Sequence, residues 1–155
     1  MQTDFEAIRA RVEDLVRRAP DTTAALERAV VELKNSIPDY TWVGIYVLQG
    51  SELVLGPFRG KPSPHTRIPV GRGICGAAAA AKQTIVVDEV NGDERYLACS
   101  LETRSEIVVP IMHGESVVGE IDVDSDRPAA FGGEDRSLLE AIGRMLADRM
   151  SGRTA

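Results

Sequence analysis

The sequence predicts an α+β fold, in which helices cover an antiparallel sheet. Three observations support this prediction. Amphipathic helical patterns occupy residues 3–35 and 134–150, at the two ends of the chain. Between them, alternating strand patterns occur in two pairs, and a short polar turn joins each pair, as in a hairpin. The helices and strands do not alternate as they do in βαβ units, so a parallel sheet is not expected.

Residues 3–19 are predicted to form the first helix. Thr3 and Glu6 have the spacing of a capping box. Apolar residues recur at helical spacing behind them: Phe5, Ile8, Val12, Leu15 and Val16. Pro20 ends this helix, and Asp21 can cap a second helix that runs to about residue 35. Each helix has one apolar face, so each must pack against another element.

The first hairpin is predicted at residues 42–48 and 52–58, around a Gln-Gly-Ser turn. Alternation along its first strand places Trp42 and Tyr46 on one face. The opposite face carries its apolar residues: Val43, Ile45 and Val47. Residues 60–69 are rich in proline and polar side chains and are expected to form a loop.

A short helix and a short strand are predicted in the middle of the chain. Residues 74–82 include five consecutive alanines, which favour a helix, and the β-branched residues 84–87 follow as a strand. Residues 88–104 are polar and irregular, with one helical turn expected near residues 94–97. This irregular segment should lie over one face of the sheet.

The second hairpin is predicted at residues 106–112 and 116–124, and residues 134–150 form the closing helix. The N-terminal and C-terminal helices are expected to pack on one face of the sheet. The loops would then cover the other face, where a small-ligand pocket can lie. Residues 1–155 are expected to form a single domain, since this length suits one hydrophobic core.

The composition narrows the classes of function. Lys and Arg number 18 against 24 Asp and Glu, which gives a net charge of −6. This balance argues against binding to a phosphate backbone, which requires clustered cations. The charged start of the chain does not resemble a secretory signal, and no apolar run approaches the roughly 18 residues of a membrane span. A cytoplasmic enzyme or regulatory domain is therefore expected.

Acidic residues recur along the strand at residues 116–124. Glu120, Asp122 and Asp124 share one face of it, although Asp is depleted in strands. The opposite, core-facing side is assigned Val117, Gly119, Ile121 and Val123. A solvent-exposed sheet face would explain this pattern equally well.

A pocket is the other explanation for the acidic strand face. Glu106, Asp122 and Asp124 would form its carboxylate wall, and Trp42 and Tyr46 its aromatic wall. Enclosed carboxylates favour a cationic ligand, and the aromatics suit an organic cation better than Mg²⁺ or Ca²⁺.

The two cysteines, Cys75 and Cys99, do not form a C-x-x-C motif. Cys75 falls in the first turn of the alanine-rich helix, where the helix N-terminus and Arg72 should lower its pKa. Cys99 lies in the irregular segment. The simpler interpretation is that both cysteines are small buried residues, since free cysteines are often buried.

A zinc site is not predicted. The spacing of the four candidate ligands is unlike that of known zinc sites. These candidates are Cys75, Cys99, His65 and His113.

Several motifs, in one order along the chain, resemble a known family. They are T-W-V-G-I-Y, L-V-L-G-P-F-R-G-K, R-I-P-V-G-R-G-I-C-G, Y-L-A-C, S-E-I-V-V-P-I and I-D-V-D-S. Together they resemble stand-alone GAF domains of the free methionine-(R)-sulfoxide reductase family, over roughly residues 5–150. The resemblance implies a GAF fold, usually as a homodimer. It also implies reduction of free methionine sulfoxide without a metal or organic cofactor.

The resemblance implies a role for each matching residue. Cys99 resembles the attacking nucleophile, and Cys75 a resolving partner that forms a Cys75–Cys99 disulfide, which a thioredoxin-like dithiol would reopen. The substrate-binding residues implied are Trp42, Tyr46, Glu106, Asp122 and Asp124. His65 stands where many members of the family have a further cysteine, so the route of recycling is in question.

Two other functions fit the same pattern. A GAF domain can bind a small ligand without catalysis. A reversible Cys75–Cys99 disulfide could also serve as a thiol redox sensor without turnover.

Overall fold

The computed structural model describes residues 2–97 and 102–151. Its helices are α1 (Phe5–Arg17), α2 (Thr22–Ser36), α3 (Gly73–Ala81) and α4 (Gly133–Met150), with a 3₁₀ turn at Val90–Gly92. Its strands are β1 (Trp42–Gln49), β2 (Glu52–Arg59), β3 (Arg67–Pro69), β4 (Ile85–Val87), β5 (Ser105–His113) and β6 (Ser116–Ser125). Within these ranges, no helix is both long and apolar enough to cross a bilayer.

The six strands form one antiparallel sheet in the order β3-β2-β1-β6-β5-β4. The two hairpins therefore meet along β1 and β6, which pair with Trp42 opposite Asp124 and Tyr46 opposite Glu120. Residues opposite each other in an antiparallel pair point to the same face of the sheet. This register gives the aromatic and acidic side chains a common face, as the alternation predicts.

Helices α1, α2 and α4 pack on the other face of the sheet. They bury apolar residues of the central strands in one hydrophobic core: Val43, Ile45, Ile107, Val109, Ile111, Ile121 and Val123. Helix α3 covers the opposite face and belongs to a second, smaller apolar cluster with Trp42 and Tyr46. The predicted α+β class, with the terminal helices on one face, is confirmed.

Helix N-caps fix the starts of α1 and α2. Asp4 caps α1 by accepting a hydrogen bond from the amide of Ala7 at 3.1 Å, so the predicted capping box led by Thr3 is wrong. Asp21 caps α2 as predicted, with 2.8 Å between its carboxylate and the amide of Ala24. Asp ranks above Thr as an N-cap residue, which agrees with the start of α1 after Asp4.

Three local predictions differ from the structure. Residues 60–69 are not all loop, because Arg67–Pro69 pairs with β2 as an edge strand. The helical turn expected near residues 94–97 is replaced by the 3₁₀ turn at Val90–Gly92. Val117 packs with the α3-side cluster instead of the core behind the sheet, because the register shifts where Ile111 pairs with Gly119 and Met112 with Val117. Such a bulge reverses the alternation beyond it.

Candidate functional site

The three central strands bring five of the predicted site residues onto one face of the sheet. Trp42 and Tyr46 come from β1, Glu106 from β5, and Asp122 and Asp124 from β6. Each is at most 7% exposed. The alternative that these acids lie on a solvent-exposed sheet face is therefore wrong. Their roles in binding stay a prediction.

Helix α3 places the sixth predicted residue above this face. The sulfur of Cys75, the third residue of the helix, lies 3.4 Å from Asp122 Oδ2, and the thiol is in position to donate a hydrogen bond to it. Gly73, two residues earlier, has a φ of +67°, which allows the sharp entry into the helix. The seventh predicted residue, Cys99, lies outside the described residues.

Backbone carbonyls of the segment after β2 hold both aromatic side chains. The indole nitrogen of Trp42 donates to the carbonyl of Lys61 at 2.9 Å, and the hydroxyl of Tyr46 donates to that of His65 at 2.8 Å. The Trp42 ring also stacks on Phe58, with 5.8 Å between the ring centroids. Each ring is thus fixed at its polar end while its apolar surface forms part of the site.

Three carboxyl groups of β6 follow one another along this face. Glu120 is fully buried, and neither of its oxygens has a hydrogen-bond partner among the described residues. One oxygen of Asp122 and one of Asp124 also have none there. Burial is the main cause that raises the pKa of all three groups, and the charge of Asp122 raises the pKa of the other two further. Burial therefore favours the protonated form of each of these groups.

Cys75 does not have the acidic thiol that its helix position predicts. Complete burial raises its pKa well above the usual value, and the negative charges of Asp122, Glu106 and Glu120 raise it further. Arg72 is exposed and does not offset these charges. The expected low pKa is wrong, because the sequence shows the helix N-terminus but not the carboxylates beneath it. Cys75 is a protonated thiol in this state.

Two cavities open onto this face. One of about 20 Å³ is lined by Cys75, Glu106 and Asp122, together with Tyr46 and His65. The other, of about 130 Å³, lies at the start of β1 and is lined by Thr41, Trp42, Lys61, Glu102, Thr103, Asp124 and Asp126. A larger open groove, beside the start of α1 and α4, is lined by none of the predicted site residues.

Glu120 is the site residue that sequence reasoning placed on the right face but did not include in the site. Its spacing from Asp122 and Asp124 was the available signal. Its effect on the pKa of Cys75 depends on how α3 packs on the sheet, and the spacing does not reveal that packing. Of the four zinc candidates, Cys99 lies outside the described residues. Within them, one group of three potential metal ligands is found: Cys75, Glu106 and Asp122.

The fold is that of a GAF domain, and the GAF domain family matches residues 21–150 of this chain. The chain is 34% identical to the free methionine-R-sulfoxide reductase of Escherichia coli, across 95% of this chain and 87% of that protein. It is 40% identical to the protein of the same name from Saccharomyces cerevisiae, across 73% of this chain and 64% of that protein.

A solved structure of a protein with the same name also resembles this chain. The free methionine-R-sulfoxide reductase from Neisseria meningitidis, in complex with its substrate, superposes with a TM-score of 0.91 at 34% identity. The match covers 97% of this chain and 93% of that one. The chain belongs to the free methionine-R-sulfoxide reductase family of GAF domain proteins.

Proposed function

We propose that this chain reduces free L-methionine-(R)-sulfoxide to L-methionine, with Cys99 as the attacking thiolate and Cys75 as the resolving thiol. The observation that carries the proposal is the buried face where Trp42 and Tyr46 lie beside the carboxyl groups of β5 and β6. The names of the E. coli and S. cerevisiae relatives, and the N. meningitidis structure with its substrate, support the same activity.

The carboxyl groups suit the amino group of a free amino acid. Glu106, Asp122 and Asp124 are buried on neighbouring strands, and two of their oxygens lack partners among the described residues. An ammonium group offers three donors, and each charge-assisted hydrogen bond contributes about 1.5–3 kcal/mol. A methionine residue within a peptide has no ammonium group, so this arrangement favours the free amino acid.

The first chemical step needs a nucleophile and an acid. The Cys99 thiolate attacks the sulfoxide sulfur, and a proton is delivered to the sulfoxide oxygen. The oxygen is transferred to the cysteine, which becomes a sulfenic acid, and the substrate leaves as the thioether methionine. Asp122 and Asp124 are suited to supply the proton, because burial raises the pKa of each above its usual value and so favours the carboxylic acid form.

The second step regenerates the nucleophile. Cys75 attacks the sulfenic acid of Cys99, which forms a disulfide and releases water. Cys75 must lose its proton to do so, and Asp122 Oδ2, at 3.4 Å, is placed to accept it once that group is ionised. An external thioredoxin-like dithiol then reduces the disulfide. A homodimer is proposed as the working form, as in the family.

A stereochemical assay tests this proposal. The reduced protein is incubated with free methionine-(R,S)-sulfoxide and dithiothreitol, and the two epimers are separated by chromatography. Consumption of the R epimer alone is expected, together with loss of activity in Cys99→Ser. His113→Ala, at the end of β5, serves as a control that should retain activity. If the folded wild-type protein consumes neither epimer, the chain is not a reductase and a ligand-binding or sensor function becomes the better explanation.

A further inference from the structure

An ion-sized cavity lies among three buried side chains that carry metal-ligating atoms: Cys75, Glu106 and Asp122. We propose that this cavity binds a thiophilic divalent cation of the Zn²⁺ class and that the bound ion blocks the reductase chemistry. The site goes beyond the proposed function, which requires no metal. It would make activity sensitive to the supply of such ions.

The distances between the ligand atoms support a metal site. One sulfur or oxygen atom from each of the three residues lies within 4.8 Å of the other two. The sulfur of Cys75 and Oδ2 of Asp122 are 3.4 Å apart. Zinc bonds of about 2.3 Å to sulfur and 2.0 Å to oxygen, at a tetrahedral angle, separate those atoms by about 3.5 Å. The third ligand, Glu106, then has to move by at most on the order of 1 Å.

The cavity has the volume of a single small occupant. It encloses about 20 Å³, and Cys75, Glu106 and Asp122 all form part of its wall. A water molecule needs roughly 10–15 Å³ by this kind of measure, so the cavity holds one water or one ion. A methionine side chain does not fit without movement of the surrounding residues.

An unpartnered oxygen in the cavity wall supplies a second, independent observation. Oδ1 of Asp122, on a residue only 4% exposed, has no hydrogen-bond partner among the described residues. Buried carboxylates without partners are costly, and a cation that pairs with them removes this cost.

The mixed donor set selects the kind of cation. A thiolate beside two carboxylates suits Zn²⁺ and its softer analogue Cd²⁺, whereas Mg²⁺ and Ca²⁺ prefer oxygen ligands throughout. Binding replaces the thiol proton of Cys75 with a sulfur–metal bond and releases that proton to solvent, without any transfer of electrons.

Metal binding and catalysis exclude each other at this position. The ion would occupy the thiol that is proposed to resolve the Cys99 sulfenic acid. It would also occupy Glu106 and Asp122, which are proposed to bind the substrate ammonium group. Inhibition should therefore be reversed by a chelator and weakened by a high concentration of methionine sulfoxide.

The test uses Cd²⁺, whose bond to a thiolate gives a charge-transfer band in the ultraviolet. Titration of the reduced protein should give this band with one ion per chain, in the wild type and in Cys99→Ser. The band should be lost in Cys75→Ser, and Glu106→Gln should bind at least about 10-fold more weakly, since even loss of a residue that only supports a ligand costs about 10–100-fold. The matched control Glu115→Gln, in the exposed β5–β6 turn, should bind as the wild type does.

Proton release gives a second measurement that does not depend on whether Cys75→Ser folds. Calorimetry of Zn²⁺ binding to Cys99→Ser, in two buffers of different ionisation enthalpy, should show release of at least one proton per ion. Binding without proton release would overturn the proposal. So would the absence of the Cd²⁺ band from folded, reduced wild type, or a band that survives Cys75→Ser and disappears in Cys99→Ser. The two proposals fail separately. A protein that shows the Cd²⁺ band but does not reduce methionine sulfoxide refutes only the proposed reductase function. A protein that reduces methionine sulfoxide but shows no band refutes only the metal site.

Discussion

Replacement of the buried acid Glu120 by glutamine should make the protein less sensitive to rising pH. The wild-type carboxyl is fully buried without a hydrogen-bond partner among the described residues, and its pKa is raised well above the ordinary value of 4.5. Between these two pKa values the folded state holds a proton that the unfolded state has released. The free energy of unfolding therefore falls as the pH rises through that interval.

The pH dependence of the free energy of unfolding can be worked out from the single proton on Glu120. A single group that is protonated only in the folded state lowers the free energy of unfolding by about 1.4 kcal/mol per pH unit. Glu120→Gln retains the shape of the side chain and removes the titration. Within the interval between the two pKa values, the variant should therefore gain about 1.4 kcal/mol per pH unit relative to the wild type, which is appreciable beside typical domain stabilities of about 5–15 kcal/mol.

Urea denaturation, followed by circular dichroism at several pH values, measures this difference. The control is Glu115→Gln, because that side chain is exposed and its stability profile should run parallel to that of the wild type. A Glu120→Gln profile that also runs parallel to the wild type would refute the reasoning. It would mean that Glu120 is ionised and satisfied in the folded protein.

Three further substitutions test other parts of the structure. Cys75→Ser should produce about one methionine per chain in a single turnover without reductant, but should not cycle with thioredoxin, since its resolving thiol is absent. Gly44→Ala should raise the KM for methionine sulfoxide, because the new Cβ would lie 2.6 Å from Cζ3 of Trp42 and displace the indole. Tyr40→Phe should lower the free energy of unfolding by about 1–3 kcal/mol, because the buried Tyr40 hydroxyl donates to Asp135 at 2.7 Å.

Each of these three has an outcome that contradicts it. Full thioredoxin-dependent cycling by Cys75→Ser would exclude Cys75 as the resolving thiol. An unchanged KM in Gly44→Ala would show that the Trp42 ring does not contribute to substrate binding. Denaturation of Tyr40→Phe at the wild-type urea concentration would show that water or another donor replaces the lost hydroxyl.

Most of the fold could be predicted, because periodicity and turn residues are local signals. The two hairpins and helices α1, α2 and α4 have strong periodic patterns, α3 has its run of alanines, and α2 begins at the Asp21 cap, as expected. Strand β3 could not be predicted, since it is three residues long and forms only because β2 offers it an edge. The position of Val117 also could not, because the bulge that turns it depends on the pairing of β5 with β6.

In the site, too, only the features that depend on local sequence patterns could be predicted. Alternation along one strand is enough to place Asp122 and Asp124 on the same side. The charge state of Cys75 depends on which groups lie under α3, and that is a property of tertiary packing. The helix start is a real local signal for an acidic thiol, but burial among carboxylates has the larger effect here. Sequence reasoning therefore located the thiol correctly and assigned its acidity wrongly.

Strand β6 contributes to both faces of the sheet, and this limits how the gene can change. Ile121 and Val123 enter the core beneath the helices, while Asp122 and Asp124 line the site. Insertion or deletion of one codon in this strand would exchange the two sets, so that acids enter the core and aliphatic residues the site. Length variation among descendants of this gene should therefore be absent from β6 and tolerated in exposed turns such as the one around Gly50.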